Sequence, residues 1–349
     1  MSASRPIAED DKRVLAAFAE AMPQPVLLVD GAMRTLARNT SACALLPALK
    51  IGDPLAMGLR APQVLDAVRR VCAGGGAETV RWFERVPVEQ IFDVSVAPLL
   101  LDGPFAVAVS IRDLTDAMRT ERMRTDFVAN ASHELRTPLA SLLGFVETLQ
   151  GPAREDPRAR EQFLGIMRDQ ALRMSRLIDD LLSLSRIEQM QHMRPQGSVD
   201  LVAVVKHVVD TLGPLARETG AVVSVEASAP ALVPGDRDDL IRLAENLIEN
   251  AIKYGGREGA PAQVAVSVDS EAGQWVLSVT DDGAGISPEH IPRLTERFFR
   301  TDAGASRAKG GTGLGLAIVK HILARHRGRL VIDSKLGDGA RFRAYLPEA

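Results

Sequence analysis

The first third of the chain alternates short apolar runs with turn residues. Runs of this length predict β-strands, and they occupy residues 25–29, 92–97 and 106–111. Helical spacing predicts a helix at 61–72 between them. Residues 12–115 are therefore expected to fold as an antiparallel sheet with intervening helices.

Apolar side chains then recur every three or four positions, or at sums of these spacings, which indicates one face of a long helix. Gly151-Pro152 separates a first stripe from a second. The two stripes consist of Phe127, Ala131, Leu135, Leu142, Phe145 and Leu149, and of Phe163, Met167, Ala171, Met174, Ile178, Leu181 and Ser185. Two long helices with a short loop predict an antiparallel hairpin over 116–192. One hairpin offers too few partners for such stripes, so we expect two copies of the chain to pair into a four-helix bundle.

After a linker at 194–198, the chain mixes helical and strand periods. The pattern predicts helices at 200–218, 237–254, 287–298 and 314–326, and strands at 221–227, 263–269, 274–280, 329–333 and 340–346. This order predicts an α+β domain over 198–349, with helices on one face of a sheet.

Composition excludes several classes of protein. Hydrophobic residues make up 46% of the 349 residues and charged residues 25%, which is typical of globular domains and not of disordered chains. The formal net charge of −3 gives no general attraction for nucleic acid. Two cysteines, Cys43 and Cys72, are too few for a disulfide framework. No run approaches the roughly 18 apolar residues of a membrane helix, so we expect a soluble, cytoplasmic protein without direct membrane insertion.

The first candidate for chemistry is His133, in the segment 127–139. At about 100° per residue, its side chain lies roughly 160° from the apolar stripe and is predicted to face solvent. Glu134 can accept the Nδ1 proton, which leaves Nε2 free as a nucleophile. Thr137 lies one turn further on the same face, and Pro138 removes a hydrogen bond from the helix. An inert solvent-facing histidine is the alternative.

Three further segments carry residues typical of a nucleotide site. Asn246, Asn250 and Lys253 share one face of a predicted helix, where amide oxygens suit Mg²⁺ and a lysine suits phosphate. Residues 281–286 (Asp-Asp-Gly-Ala-Gly-Ile) follow a strand, and residues 310–316 (Gly-Gly-Thr-Gly-Leu-Gly-Leu) open a helix whose N-terminus favours phosphate. The order of residues excludes a P-loop. Taken singly, a solvated helix face, an ordinary turn and a flexible hinge are the alternatives.

In order and spacing, these four segments resemble the H, N, G1 and G2 boxes of bacterial two-component sensor histidine kinases. Phe298-Phe299-Arg300 resembles their F box, and residues 122–130 are most similar to the phosphate-regulon sensor kinases. The resemblance covers roughly the last two thirds of the chain. Residues 12–115 resemble a PAS sensor domain, through Val26–Asp30 at its start and Arg112–Thr115 at its end.

The resemblance implies a role for each candidate residue. His133 is the expected phosphoacceptor, with Glu134 as its general base or orienter, and Thr137 would serve the dephosphorylation of a partner. Asn250 is the expected Mg²⁺ ligand, and Asp281 the expected partner of the adenine amine. The other expected nucleotide contacts are Asn246, Lys253, Tyr254, Gly283, Gly285, Ile286, Arg297, Arg300, Gly311, Thr312, Gly313, Leu314, Gly315 and Leu316.

The resemblance also implies a fold, a reaction and partners. The expected fold is multidomain α+β: a PAS-like α/β sensor domain (12–115), an antiparallel helical hairpin in a dimeric four-helix bundle (116–192), and an α/β-sandwich ATP-binding domain of the histidine-kinase, gyrase and chaperone type (198–349). The expected reaction is autophosphorylation of His133 by MgATP, then transfer to an aspartate of a response-regulator receiver domain, with dephosphorylation of that partner. Residues 300–312 would form a mobile lid. Phosphate-sensing relatives carry membrane helices near the N-terminus, and none is predicted in this sequence. A membrane signal would therefore reach this chain through a membrane-associated partner.

Two other functions stay open. An ATP hydrolase of the same nucleotide fold places a glutamate four residues before the magnesium asparagine. Here that position is Asn246, and Glu245 lies about 100° off the required face, which disfavours net hydrolysis. A non-catalytic dimeric signalling scaffold, or pseudokinase, would keep the motifs without turnover, although every motif position is filled.

Overall fold

A computed structural model of the chain describes residues 9–84, 89–100, 105–190, 192–227, 230–257, 260–301 and 311–348. The chain divides into two units, residues 1–128 and 129–349. None of the helices within the described ranges is both long and apolar enough to cross a membrane.

The first unit is built around a five-stranded sheet. Its strands are β1 (Val26–Asp30), β2 (Thr35–Arg38), β3 (Glu78–Glu84), β4 (Gln90–Leu100) and β5 (Phe105–Asp113), in the order β2-β1-β5-β4-β3. Its helices are α1 (Glu9–Glu20), α2 (Thr40–Leu45) and α3 (Pro62–Cys72), with a 3₁₀ turn at Leu55–Met57. All strand pairs are antiparallel, which confirms the antiparallel sheet predicted for this region.

The two faces of this sheet bury different apolar sets. Leu27 and Val29 of β1 join the larger core, together with residues of α3. Val26 and Leu28 join a smaller core that includes α1. Because successive residues of a strand point to opposite faces, the uninterrupted apolar run of β1 supplies both cores.

Two long helices, α4 (Thr115–Gln150) and α5 (Pro157–Gln189), form the predicted hairpin. Asp156 begins α5 by accepting hydrogen bonds from the main-chain N–H groups of Arg158 and Ala159. The rings of Phe145 and Phe163 meet across the hairpin, with centroids 5.2 Å apart. The predicted end of the first helix at Gly151-Pro152 is confirmed, since α4 ends at Gln150.

The rest of the second unit is a sheet covered by helices on one face. The sheet order is β11-β12-β10-β9-β7, formed by β7 (Val222–Glu226), β9 (Gln263–Glu271), β10 (Gln274–Asp281), β11 (Arg329–Ser334) and β12 (Ala340–Pro347). The covering helices are α6 (Leu201–Thr219), α7 (Arg237–Tyr254) and α8 (Gly315–Arg325). A short ribbon joins β6 (Ser198–Asp200) to β8 (Leu232–Pro234). Only the β7–β9 pair is parallel among the described pairs of this sheet.

The helix predicted at 287–298 is wrong. The structure has turns there and a single 3₁₀ turn, Ile291–Arg293. Pro292 has no N–H group and its ring crowds the carbonyl of the preceding helical turn, which disfavours an α-helix in a segment this short. Phe298 adopts a left-handed φ of 64°, which also ends any helical path.

Candidate functional site

A cavity of about 760 Å³ lies where α5, α7, the end of β10 and the start of α8 meet. Its volume is in the range of small-molecule sites. Most of the predicted nucleotide contacts line it: Asn246, Asn250, Lys253, Tyr254, Asp281, Gly285, Ile286, Arg300, Gly311, Thr312, Gly313, Gly315 and Leu316. The structure therefore brings together three segments that are far apart in the sequence.

Helix α7 presents polar groups to this cavity because its apolar face is fixed against the sheet. Its buried residues are Leu240, Leu243, Ala244, Leu247, Ile248, Ala251 and Ile252. On the cavity side, the Asn246 Nδ2 donates to the carbonyl oxygen of Arg242 at 2.7 Å, which fixes the orientation of the amide. Lys253 is only 12% exposed and its Nζ lies 2.5 Å from Glu249 Oε1. The helix thus delivers amide oxygens and one ammonium group to one side of the cavity.

Asp281, the last residue of β10, places a buried carboxylate in the cavity wall. It is 9% exposed, and its Oδ1 accepts the N–H of Gly283 at 3.0 Å. Burial raises the pKa of the Asp281 carboxyl, although the N–H groups of Gly283 and Ala340 act in the opposite direction. A buried acceptor of this kind selects a ligand that carries a donor, such as an exocyclic amine, because an unpaired partner is costly.

Three glycines let main chain approach the cavity where no side chain fits. Gly285 and Gly313 have left-handed φ values of 71° and 74°. A Cβ at Gly285 would collide with the carbonyl of Lys335, and one at Gly315 with the side chain of Asn246. Because α8 begins at Gly315, the main-chain N–H groups at its first turn face a region where an anion is favoured.

One wall of the cavity comes from the hairpin and was missed in the sequence. The contributing residues of α5 are Arg176, Asp179, Asp180, Leu182 and Ser183. Asp180 accepts the hydroxyl of Thr312 at 2.8 Å and a guanidinium N–H of Arg242 at 3.1 Å. Polar residues spaced three or four apart on α5 were the available signal, but nothing local shows what such a face contacts.

Arg300 connects the cavity to the segment that carries His133. Its Nη2 donates to Glu134 Oε2 at 3.0 Å, and Arg173 of α5 approaches the same oxygen at 3.4 Å. The Arg300 side chain is 7% exposed, and its buried Nε has no hydrogen-bond partner in the described part of the chain. An anion in the cavity would supply the missing acceptor, so the site fits a phosphate group.

His133 is exposed on α4, as predicted. Its imidazole makes no hydrogen bond within the described ranges, and its main-chain carbonyl accepts the Thr137 hydroxyl at 3.2 Å. The predicted contact from Glu134 to this imidazole is absent, because successive helical residues point about 100° apart and Glu134 turns toward Arg173 and Arg300. The imidazole of His133 is therefore accessible, whereas the carboxylate of Glu134 is bound to the two arginines.

Three predicted contacts lie outside the cavity lining. Arg297 pairs with Glu188 of α5. Leu314 is buried at the start of α8, and Gly283 packs directly against the side chain of Asp281. Of the predicted lid at 300–312, residues 302–310 lie outside the described residues.

Glu245 also lines the cavity, beside Asn246. The sequence predicted an offset of about 100° between Glu245 and the face of Asn246 and Asn250, and this position does not contradict that offset. Burial raises the pKa of the Glu245 carboxyl, while Arg242 lowers it. A second carboxyl with perturbed acidity therefore borders the site.

Family models match both halves of the second unit. The model "His Kinase A (phospho-acceptor) domain" matches residues 123–189. The model "Histidine kinase-, DNA gyrase B-, and HSP90-like ATPase" matches residues 235–349, which contain most of the cavity. The α5 wall of the cavity lies within the first match, and α7 and α8 lie within the second.

Individual proteins give the same assignment. The chain is 38% identical over 239 residues to "Phosphate regulon sensor protein PhoR" of Pseudomonas aeruginosa, which covers 68% of this chain and 53% of that protein. It is 36% identical over 247 residues to "Sensor-like histidine kinase SenX3" of Mycolicibacterium smegmatis, covering 71% and 63%. The chain thus spans between half and two thirds of these relatives. A crystal structure of histidine kinase ThkA in complex with response regulator protein TrrA shares the fold over 95% of this chain and 98% of that one, with a TM-score of 0.50 and 18% identity.

Proposed function

Because the chain belongs to the sensor histidine kinases, we propose that it transfers the terminal phosphoryl group of ATP to His133 and from there to an aspartate of a response-regulator receiver domain. One observation carries the proposal. An exposed histidine without a hydrogen-bond partner among the described residues lies one position from Glu134, which accepts a hydrogen bond from Arg300 in the cavity lining.

The cavity offers a complementary group for each part of ATP. The ATPase family model matches the residues that form most of the cavity. The Asp281 carboxylate would accept a hydrogen bond from the exocyclic amine of adenine. The phosphates would lie at Gly311, Gly313 and the first turn of α8, where main-chain N–H groups are available. Lys253 would add a positive charge on the opposite side.

The donor set around Asn250 suits Mg²⁺. Among the described residues, no group of three or more His, Cys, Asp or Glu could hold a metal ion by itself. Mg²⁺ is commonly held by few protein oxygens together with phosphates and water. Asn250 would provide the protein oxygen, with Asn246 beside it. When bound, Mg²⁺ neutralises charge on the transferring phosphate.

In the proposed step the Nε2 lone pair of neutral His133 forms a bond to the terminal phosphorus, and the bond from that phosphorus to the ADP oxygen breaks. The Nδ1 proton is then shared with Glu134 or released to water. Since Glu134 contacts Arg300 and Arg173 in this structure, it must leave them before it can orient His133.

We also propose that the chain acts as a homodimer through the hairpin. The family model over 123–189 supports this, and so does the exposed apolar surface of both helices. The exposed apolar side chains of the hairpin outside the cavity lining are Met123, Val128, Leu139, Leu143, Leu164, Leu172 and Ile178. A second hairpin would cover such a surface in a four-helix bundle.

The receiver domain and the sensor domain complete the proposal. The response regulator crystallised with ThkA supports a receiver partner. Thr137 lies one helical turn from His133, and its hydroxyl would assist dephosphorylation of that partner. We propose residues 12–115 as a PAS-like sensor domain, 116–192 as the phosphoacceptor hairpin and 198–349 as the ATP-binding domain. A membrane-associated partner would deliver any membrane signal.

The direct test is incubation of the full chain with ATP labelled at the terminal phosphate. Wild type should acquire label that is acid-labile and base-stable, and His133→Ala should acquire none. The matched control is His192→Ala, which removes another exposed histidine and should keep the label. Absence of label in wild type, with MgATP bound, would indicate a non-catalytic scaffold.

ATP hydrolysis is a second candidate function because Glu245 lines the cavity. A carboxylate near the terminal phosphate could activate water. If free phosphate forms in His133→Ala and its formation is lost in the additional Glu245→Gln variant, the chain is a hydrolase. Equal phosphate release by both variants would leave Glu245 without this role.

A further inference from the structure

A buried histidine lies at the end of α8, away from the cavity. His326 directly follows α8 and is 3% exposed. Its Nδ1 lies 2.8 Å from the carbonyl oxygen of Ile322, and its Nε2 lies 3.1 Å from the main-chain nitrogen of Asp236. Because a carbonyl only accepts and an N–H only donates, the ring is neutral with its proton on Nδ1.

The partner of His326 begins helix α7. Asp236 is the N-cap residue of α7, and its side chain accepts the N–H groups of Asp238 and Asp239. A Cβ at the adjacent Gly235 would lie 2.7 Å from the Leu240 side chain, so there is no free space at this end. One imidazole thus joins the C-terminal end of α8 to the N-terminal end of α7.

The same two helices meet again at the cavity. A side chain on Gly315, the first residue of α8, would collide with Asn246 of α7. Asp236 and Asn246 are ten residues apart, about 15 Å along a helix, and Gly315 and His326 are eleven apart, about 16 Å. The helices are antiparallel, and contacts at matching heights fix both ends of the pair.

We propose that His326 is a positioning residue of the nucleotide site. Its hydrogen bond to Asp236 sets the placement of α7 relative to α8, and with it the distance from Asn250 to the glycine segment at 311–315. The inference rests on the proposed function, since it assumes that these two groups hold the phosphates and Mg²⁺ of one nucleotide. Asp281 lies on β10, which β9 and β12 hold in the sheet, so the adenine contact should depend on this placement less than the phosphate contacts do.

The charge of the ring decides whether the contact exists. Asp236 and Asp239 of α7 face it, and so does Arg325 of α8, which pairs with Asp239. Burial is the largest effect and lowers the pKa of the His326 imidazole, although both aspartates raise it. Protonation would set an N–H on Nε2 against the N–H of Asp236. The neutral ring therefore stabilises the folded state fully above the ordinary histidine pKa of about 6.5. This stabilisation is lost as the pH falls from there toward the lower pKa that the ring has in the folded state.

The test compares the affinities of the full chain for MgATP and for adenosine by titration calorimetry. His326→Ala should bind MgATP about tenfold more weakly, because a buried N–H loses its acceptor and α7 shifts, while the affinity for adenosine should stay within about twofold. His326→Gln should recover part of the MgATP affinity, since its amide oxygen can accept the Asp236 N–H. His192→Ala is the control for removing a histidine elsewhere.

Several results would overturn the inference: unchanged MgATP affinity in His326→Ala, equal losses for MgATP and adenosine, or a loss in His326→Gln as large as in His326→Ala. If His326→Ala does not fold, the pH profile decides. The preference of wild type for MgATP over adenosine should fall more steeply than that of His326→Gln as the pH drops below about 6.5 toward the lower pKa of the folded state, since the nucleotide titrates equally in both. Equal slopes would refute the role. Wild type that binds no MgATP refutes the proposed function instead.

Discussion

The hairpin and the α/β part of the second unit bury apolar surface to very different extents. Helix α5 has 33 residues, of which Leu177, Leu184 and Ile187 are buried apolar ones. Helix α7 has 18 residues and seven buried apolar ones. A folded helix covers its apolar stripe. The stripe of α7 is covered by other parts of the same chain, whereas much of the stripe of α5 is not. The comparison separates the helices of the α/β part, whose apolar faces are covered within one chain, from a hairpin whose exposed apolar face is the proposed dimer surface.

The largest predicted effect is the weakening of the dimer when a charge is placed on the exposed face of the hairpin. Leu143 is 57% exposed in the single chain. Burying a leucine contributes about 1.5–3 kcal/mol, and a symmetric dimer buries two, so Leu143→Asp should raise the dimer Kd about 10²- to 10⁴-fold. Analytical ultracentrifugation measures this directly.

The affinity of each Leu143→Asp chain for MgATP should stay unchanged, because the nucleotide domain is complete without the dimer. Leu232→Asp is the matched control, since Leu232 is 50% exposed on β8 and its replacement should not change the oligomeric state. A Leu143→Asp protein that remains dimeric would show that another surface pairs the chains.

The second prediction concerns nucleotide binding by the α/β part of the second unit. Asp281→Asn keeps the shape of the side chain but can turn an amide N–H₂ toward the adenine amine. Loss of a charged acceptor should weaken ATP binding about 10- to 100-fold in calorimetry, with the dimer intact. Binding at the wild-type level would remove Asp281 from the adenine contact.

The same variant has a predicted effect on stability. Burial raises the pKa of the Asp281 carboxyl, so the ionised form destabilises the folded state above the unfolded pKa. At neutral pH and without nucleotide, Asp281→Asn should therefore unfold at a temperature no lower than that of wild type. The difference in unfolding temperature between the variant and wild type should shrink as the pH falls, because Asp281 of wild type then becomes protonated and no longer destabilises the folded state. Thermal unfolding at several pH values measures this trend.

Sequence periodicity predicted those parts of the site that lie on one element. Asn246, Asn250 and Lys253 were placed on a common face because a helix fixes that geometry, and the order of motifs indicated a shared ligand. The wall from α5 could not be predicted in this way. Asp180 reaches Thr312 across 132 positions, and such a contact depends on packing between elements that no local pattern reports.

One local argument was overridden by tertiary contacts. The sequence places Glu134 next to His133 as its base or orienter, but in this structure the Glu134 carboxylate binds Arg173 and Arg300. Its role toward His133 stays a prediction, which requires the carboxylate to leave these two partners.

The smallest predicted effect lies where the hairpin and the nucleotide domain meet. The hairpin supplies the carboxylates, Glu134, Asp180 and Glu188, and the domain supplies the cationic partners Arg300, Arg242 and Arg297. Arg300 lines the cavity, so its bond to Glu134 competes with any bond to phosphate.

Glu134→Gln should therefore bind ATP about two- to fivefold more tightly than wild type, since a partly exposed ion pair contributes at most about 1 kcal/mol, while phosphorylation of His133 should slow because its neighbouring base is gone. Calorimetry and single-turnover labelling separate the two effects. The matched control is Glu188→Gln, which removes the partner of Arg297 and leaves Arg300 bound to Glu134, and it should not tighten ATP binding. The gain in Glu134→Gln should also diminish at high salt, because screening already weakens the wild-type pair. Equal tightening by both variants would mean that loosening the hairpin from the domain, and not release of Arg300, controls nucleotide affinity.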